Sequence, residues 1–483
     1  MLDAMIDSAR HRFGRERRAH WDRVSRKKEH PNYFSAFYHR LLEHYYGFYI
    51  SPGLKVLELG CAHGDLLAAI KPCLGVGVDF SAEMICKARE KHPELIFVRA
   101  DSHQIAFREK FDVIILSDLV NDIWDAQDLL ENLRTLTHPG TRLVMNFYNN
   151  LWRLPLALAR LLNLGADVLE QNWFSPRDIE NLLALSGFEV IHRRPIILTP
   201  ASIPLLTDLT NRYLANLPPF SWFCLSNIMI ARPVAAADRG MPEKEPTVSV
   251  IVAARNEAGN IDSILNRVPT LGGGTELVFV EGGSQDRTYE TIEQMIQRFP
   301  DKTCKLYRQA GKGKGDAVRL GFEKARGDIL MILDADLTVP PEDLPRFFKA
   351  IASGKGEFIN GVRLVYPLED EAMRFFNILG NKFFSLAFSW LLGQPIKDTL
   401  CGTKVLWKRD YVQVAKNRAY FGNFDPFGDF DLLFGAAKLN LKISEIPIRY
   451  RSRTYGTTNI SRWRHGWLLL KMVVFAARRL KFI

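Results

Sequence analysis

The stretch DILMILDADLTVPP, residues 328 to 341, is an apolar run that ends in two aspartates one residue apart and then in two prolines. Its first part, Asp328 to Leu333, has the length and content of a strand covered on both faces, as in a parallel sheet. Ligands of such sheets gather at the carboxyl ends of the strands, where Asp334 and Asp336 fall. Two close carboxylates repel each other unless something positive sits between them, so the pair predicts a cation. Hard oxygen ligands suit Mg2+ or Mn2+, which completes its shell with substrate phosphates and water. Taken alone, the same three residues also read as a polar cap on a loop, and the surrounding sequence has to decide.

Upstream, TVSVIVAARNEAGNI (247–261) and ELVFVEGGSQDRTYETI (276–292) are two further strands that deliver polar groups at their ends. RQAGKGKGDAVRLGFEKARGD (308–328) supplies a basic glycine loop running into a helix, a combination suited to phosphate. In this order the segments resemble family 2 glycosyltransferases of the GT-A fold, over about residues 247 to 460. The resemblance implies that Arg255, Asn256, Glu257, Glu281, Ser284, Asp286, Lys314 and Asp334 border a nucleotide sugar, with Glu281 where aspartate is usual. It also makes Asp334 and Asp336 the metal ligands, with Asp336 in the catalytic set.

IKDTLCGTKVLWKRD (396–410) and FGDFDLLFGAAKLNLKISEIPIRYRSRTYGTTNISRWRHG (427–466) are similar to the polyprenyl-phosphate branch of that family, which includes dolichyl-phosphate mannosyltransferases. That likeness places Arg363, Arg374, Asp398 and Arg453 at the acceptor phosphate and implies transfer of a hexose-type sugar. Thr338 stands where many members have glutamine, and Asp431 replaces a glutamate. A lipid phosphate is already an oxyanion and needs cationic clamps rather than a strong base. The alternative acceptor is a glycan hydroxyl, as in cell-surface polysaccharide synthesis. A base is then required, and Asp429 or Asp431 is the candidate.

The first half repeats the strand-end logic. KVLEL (55–59) turns through GCAHG into a helix, and Gly60 and Gly64 let the backbone turn and a ligand approach. Asp79 ends the next strand about 20 residues after Glu58, the spacing at which an acid meets ribose hydroxyls. Asp101 follows a third strand, and Ser117 and Asp118 a fourth. E-x-G-C-A-x-G, VDFS, AD and FDVIILSD resemble the class I S-adenosylmethionine-dependent methyltransferases, over about residues 40 to 230. The resemblance implies S-adenosylmethionine binding by Glu58, Gly60, Gly64, Asp79, Asp101 and Asp118, with Ala62 where many members carry glycine. A dinucleotide oxidoreductase is disfavoured by the G-x-x-x-G spacing, and a methyltransferase fold kept only as scaffold remains the bland alternative. NWFSPRDIENLLALSGFEV (172–190) predicts a Ser/Pro helix start, an amphipathic helix and a glycine stop before a strand.

The expected architecture is two tandem Rossmann-like α/β domains: a methyltransferase domain over 1–232, a linker over 233–246 and a GT-A domain over 247–483. A chain of 483 residues, 47% apolar and 24% charged, is globular and too long for one core. Six cysteines without metal spacing predict free thiols in a reducing compartment. No apolar run reaches the roughly 18 residues that span a bilayer, and the arginine-rich start lacks the apolar core of a signal peptide. The expected location is the cytoplasm, peripherally on the cytosolic membrane face.

The net charge of +10 is concentrated in HRFGRERR and RVSRKK near the start and after Glu445, beyond which no acid occurs. Anionic partners are implied. No nucleic-acid recognition module is visible, so a phospholipid surface is favoured. A purely basic adaptor is opposed by the DAD, NE and GKGKG elements. At the end, Arg464, Lys471 and Arg478 recur every seven residues on an otherwise apolar segment, which reads either as an interfacial helix or as a core helix. KFFSLAFSWLLG (382–393) raises the same question.

Overall fold

A computed structural model describes residues 2–27, 33–161, 169–234, 245–363, 375–420, 430–451, 453, 455 and 462–483. The chain divides into two compact units, residues 1–234 and 235–481, with most of the expected linker outside the described residues. Each unit is built on one seven-stranded mixed sheet, so the expectation of two α/β domains holds.

In the first unit the strands are β1 (Lys55–Leu59), β2 (Leu74–Asp79), β3 (Ile96–Arg99), β4 (Phe111–Ser117), β5 (Thr137–Tyr148), β6 (Phe188–Ile196) and β7 (Ser226–Pro233). Their order is β3-β2-β1-β4-β5-β7-β6, parallel through β5, with β7 antiparallel to both of its neighbours. The central strands are apolar on both faces: Leu57, Ile114, Leu116 and Leu143 are buried on one with Leu129, Leu133 and Leu183 of the flanking helices, and the alternate residues Val56, Val113, Ile115 and Val144 are buried on the other. Full burial of such a side chain contributes about 1.5–3 kcal/mol. The helix Pro176–Leu185 starts as its sequence predicts, with Ser175 and Asp178 forming a reciprocal capping box and Gly187 at φ 75° before β6.

In the second unit the strands are β8 (Val248–Ala254), β9 (Thr275–Glu281), β10 (Thr303–Arg308), β11 (Ile329–Ile332), β12 (Phe358–Val362), β13 (Lys404–Trp407) and β14 (Ile443–Pro447). They run in the order β10-β9-β8-β11-β13-β12-β14. The opening stretch does form a buried strand, β11, but not within a purely parallel sheet. It is parallel to β8 and antiparallel to β13. The apolar run records only that both faces are covered, and a strand's neighbours can run in either direction behind the same pattern.

Candidate functional site

Parallel register is what gathers the polar ends. In the first unit Glu58 pairs in register with Gly77 of β2 and Ile115 of β4, and Asp79 pairs with Arg99 of β3. Glu58, Gly60, Gly64, Asp79, Asp101 and Asp118 therefore emerge at one end of the sheet. Gly60 and Gly64 adopt φ 70° and 77°, and a Cβ on Gly64 would collide with the Phe97 ring. Glu58 is buried, and its Oε2 has no hydrogen-bond partner. Burial pushes its carboxyl well above the usual range, with Asp65 and Asp79 adding to the rise. An orphaned buried carboxylate oxygen beside a glycine turn fits a ligand that brings a donor or a positive charge.

Asp79 is buried, with Oδ1 accepting from Ser81 N (2.8 Å) and Oδ2 from Ala62 N (3.1 Å). Burial raises its pKa to about 6 against those two bonds. Asp101 is exposed and caps the turn Ser102–Gln104. Its hydrogen bond with His103 Nδ1 (3.1 Å) is the main reason its carboxyl lies at about 2.

Asp118, at φ 53°, sits in a polar cluster that the sequence did not announce. It accepts from Tyr38 Oη (2.9 Å) and Asn146 Nδ2 (2.5 Å), while Asn146 Oδ1 accepts from Tyr46 Oη (2.8 Å). Burial pushes Asp118 up to about 7, with the Tyr38 and Asn146 bonds opposing. The rings of Tyr38, Tyr148 and Trp173 follow one another at 6.0 and 6.4 Å, an aromatic wall beside this cluster.

The helix Leu2–Lys27 packs over the same end. Asp22 Oδ1 accepts from Ser81 Oγ (2.5 Å), and Ser25 Oγ lies 3.4 Å from His63 Nε2. Arg17 Nε and Trp21 Nε1 donate to the two oxygens of Asp122 at 2.9 and 2.7 Å. Arg10 pairs with Asp128 and Arg26 with Glu83. Part of the basic N-terminus is thus neutralised inside its own unit rather than offered to an external anion, by acids that lie 57 to 118 residues downstream.

In the second unit Ala254 pairs with Glu281, so β8 and β9 end together, and Ile332, the last residue of β11, pairs with Ile251, which carries the following Asp334 and Asp336 toward the same edge. Arg255 is exposed, and Asn256 takes φ 57°. Asn256 N donates to Ser284 Oγ (3.1 Å) and its Oδ1 accepts from Gln285 N (2.8 Å), which joins the two loops. Buried Glu281 accepts from Ser284 N at 2.5 Å, and Asp286 caps Thr288 N at 3.0 Å.

The two aspartates of the opening stretch each hold a cation. Lys314 Nζ, at the start of the helix Lys314–Lys324, lies 2.6 Å from Asp334 Oδ1. Burial pushes Asp334 up, but Lys314, Lys404 and Arg363 more than offset it and hold the carboxyl below its usual range. A Cβ on Gly402 would overlap the Asp334 carboxylate, so only glycine admits this approach. Asp336 accepts from Thr338 N (3.1 Å) and Oγ1 (2.8 Å) and from an Arg453 Nη (2.7 Å), and the other Nη of Arg453 lies 3.5 Å from Glu257. Arg363 forks onto Asp398 at 2.7 and 2.9 Å. Asp431 is buried with Arg418 Nε at 3.3 Å. Arg374 and Asp429 lie outside the described residues.

Two hard carboxylates suit an ion that takes its remaining ligands from phosphate and water. Among the described residues no group of three or more His, Cys, Asp or Glu converges as a self-sufficient metal cage, and none is needed for such an ion.

Residues 249–405 match the family model Glycosyl transferase family 2, and residues 26–193 match the model Methyltransferase domain. The chain is 29% identical over 248 residues to the dolichol-phosphate mannosyltransferase of Pyrococcus furiosus, covering 49% of this chain and 67% of that protein. It is 34% identical over 230 residues to the undecaprenyl-phosphate 4-deoxy-4-formamido-L-arabinose transferase of Pseudomonas aeruginosa, covering 47% of this chain and 64% of that one. The chain thus spans about two thirds of the length of these relatives. Among solved structures it is similar to magnesium protoporphyrin IX methyltransferase from Synechocystis PCC 6803 with bound SAH, at 19% identity and TM-score 0.33, covering 47% of this chain and 99% of that one. The chain is a transferase that joins a methyltransferase domain to a family 2 glycosyltransferase domain.

Proposed function

We propose that the second unit transfers a hexose-type sugar from a nucleoside-diphosphate donor to a polyprenyl phosphate. The observation that carries this reading is the cationic setting of the two aspartates: Lys314 on Asp334, Arg453 between Asp336 and Glu257, and Arg363 and Lys404 close enough to act on Asp334. With a divalent ion on the two aspartates, these cations would be released to clamp an acceptor that is already an anion and needs no proton removed. A divalent ion held by Asp334 and Asp336 would neutralise the diphosphate as it leaves. The loops joined through Asn256, Ser284 and Asp286 would hold the nucleotide, with Glu281 buried at their base. Asp431, the described candidate base for a hydroxyl acceptor, is paired with Arg418, which disfavours that alternative.

We infer that the first unit uses S-adenosylmethionine, seated at Glu58, Gly60, Gly64, Asp79 and Asp101. The sulfonium makes the methyl group electrophilic, so the unit has chiefly to align the acceptor. The cluster of Asp118, Tyr38 and Asn146 and the aromatic wall beside it would face that acceptor. No helix among the described residues is long and apolar enough to cross a membrane. Peripheral attachment is assigned to the outer face of the helix Arg462–Ala476, where Trp467, Leu470, Lys471 and Val474 are exposed while Leu469 and Met472 are buried.

The deciding experiment supplies purified protein with labelled nucleotide sugars and a polyprenyl phosphate, with and without EDTA. Label extracted with the lipid, and lost in EDTA, is the expected result. Label found only in water-soluble glycan would overturn the acceptor.

A further inference from the structure

Among its described residues the first unit exposes an organised apolar surface. Leu151, Leu154, Leu158, Leu161, Trp222 and Phe223 are each between 56% and 81% exposed. Scattered exposed leucines are ordinary, but these are organised. Four of them recur at helical spacing along the turn Asn150–Trp152 and the helix Arg153–Leu161 and form a leucine stripe on a segment in which no described side chain is buried. The aromatic pair is pinned beside it: Trp152 Nε1 donates to Phe223 O (2.8 Å), and Asn149 Nδ2 donates to Trp222 O (2.9 Å) and Cys224 O (3.0 Å). A joined patch of this kind marks an interface.

Charge selects the occupant. Residues 149–161 and 209–225 contain three arginines, Arg153, Arg160 and Arg212, and no acid. A leucine stripe with Arg153 exposed beside it on the same helix is the composition of a helix lying in a lipid interface, where basic residues meet anionic headgroups. The patch is also continuous with the site. Asn149 follows Tyr148, the last residue of β5 and a member of the aromatic wall beside Asp118, so the apolar surface begins where that wall ends.

We propose that the first unit docks on an anionic bilayer through this surface, separately from the C-terminal contact of the second unit. The wall of the methyltransferase site then opens at the lipid surface.

Amide exchange of the full chain, with and without vesicles of phosphatidylglycerol and phosphatidylethanolamine, tests the assignment segment by segment. Exchange across 150–161 and 220–224 should slow on the order of tenfold on vesicles, as local opening is suppressed. A Leu154→Glu/Leu158→Glu/Trp222→Ser variant with an unchanged melting temperature should lose that protection. Protection confined to 462–481 would overturn this proposal and leave the C-terminal contact standing, whereas protection nowhere would overturn both. Concentration-dependent protection without vesicles would assign the surface to a second copy of the chain and likewise overturn the lipid assignment.

Discussion

Gly402 shows how closely the second site is packed. Any side chain there displaces the Asp334 carboxylate and crowds Lys314, so Gly402→Ala should abolish sugar transfer while methyl-donor binding by the first unit persists. Asp336→Ala should do the same, since a lost metal ligand removes several kcal/mol of transition-state stabilisation. Initial rates and calorimetry on each variant separate the two readouts, and retained sugar transfer in either would exclude the role given to that residue. In the first unit Asp79→Ala should weaken S-adenosylmethionine about 10-fold or more, the loss of charge-assisted bonds worth roughly 1.5–3 kcal/mol. Equal affinity in calorimetry would return that unit to a scaffold role. Asp118 adds a pH signature. Its folded pKa of about 7 lies above the unfolded value of about 3.9, so its contribution to stability is fully present below about pH 4 and is lost as pH rises through 7. Asp118→Asn should therefore compare more favourably with the parent at pH 8 than at pH 5 in thermal melts. An equal difference at both values would assign the pH dependence elsewhere.

At the scale of elements, the helix Leu2–Lys27 is held by a buried ion pair rather than by an apolar stripe alone. Arg17 and Asp122 are paired at 2.9 Å, with side chains 9% and 13% exposed, and Arg17 also donates to Glu170 O at 2.6 Å. Removing one partner of such a pair leaves a buried charge behind, so Arg17→Ala should cost about 3 kcal/mol in urea unfolding. The neighbouring Arg18 is exposed, and Arg18→Ala should change stability by no more than about 0.5 kcal/mol. Equal effects would show that the pair does not secure the helix. The C-terminal helix is two-faced, and its inner face bears out packing against the core: Leu469 and Met472 pack inward, while Trp467 and Lys471 face outward. Arg478 lies in the wider turn Ala477–Lys481 that follows, and only the placement of Arg464 in the helix is described.

For the whole molecule, the net charge of +10 and the outward basic residues predict salt-sensitive attachment to anionic liposomes. Each basic residue near the surface contributes about 1 kcal/mol, less as salt screens it. Flotation should recover the protein, less at high salt, and should recover much less of an Arg464/Lys471/Arg478→Glu variant. Equal flotation of that variant would remove the C-terminal helix as an anchor. The local pattern by itself determined that two α/β units follow one another and that several of their strands lead into acids. Buried-strand composition, strand-end acids, glycine turns and the Ser175 cap each act within a few residues of chain. What only the tertiary structure decided are the partners: Arg453 on Asp336 across 117 positions, Arg17 on Asp122 across 105, Gly402 beneath Asp334, and Tyr38 on Asp118. It also decided the antiparallel run of β13, the internal use of N-terminal arginines and the outward face of the leucine stripe. Periodicity states that a face is apolar or an end is charged, but strand order and register determine what lies opposite, and those arise from packing between segments far apart in the chain.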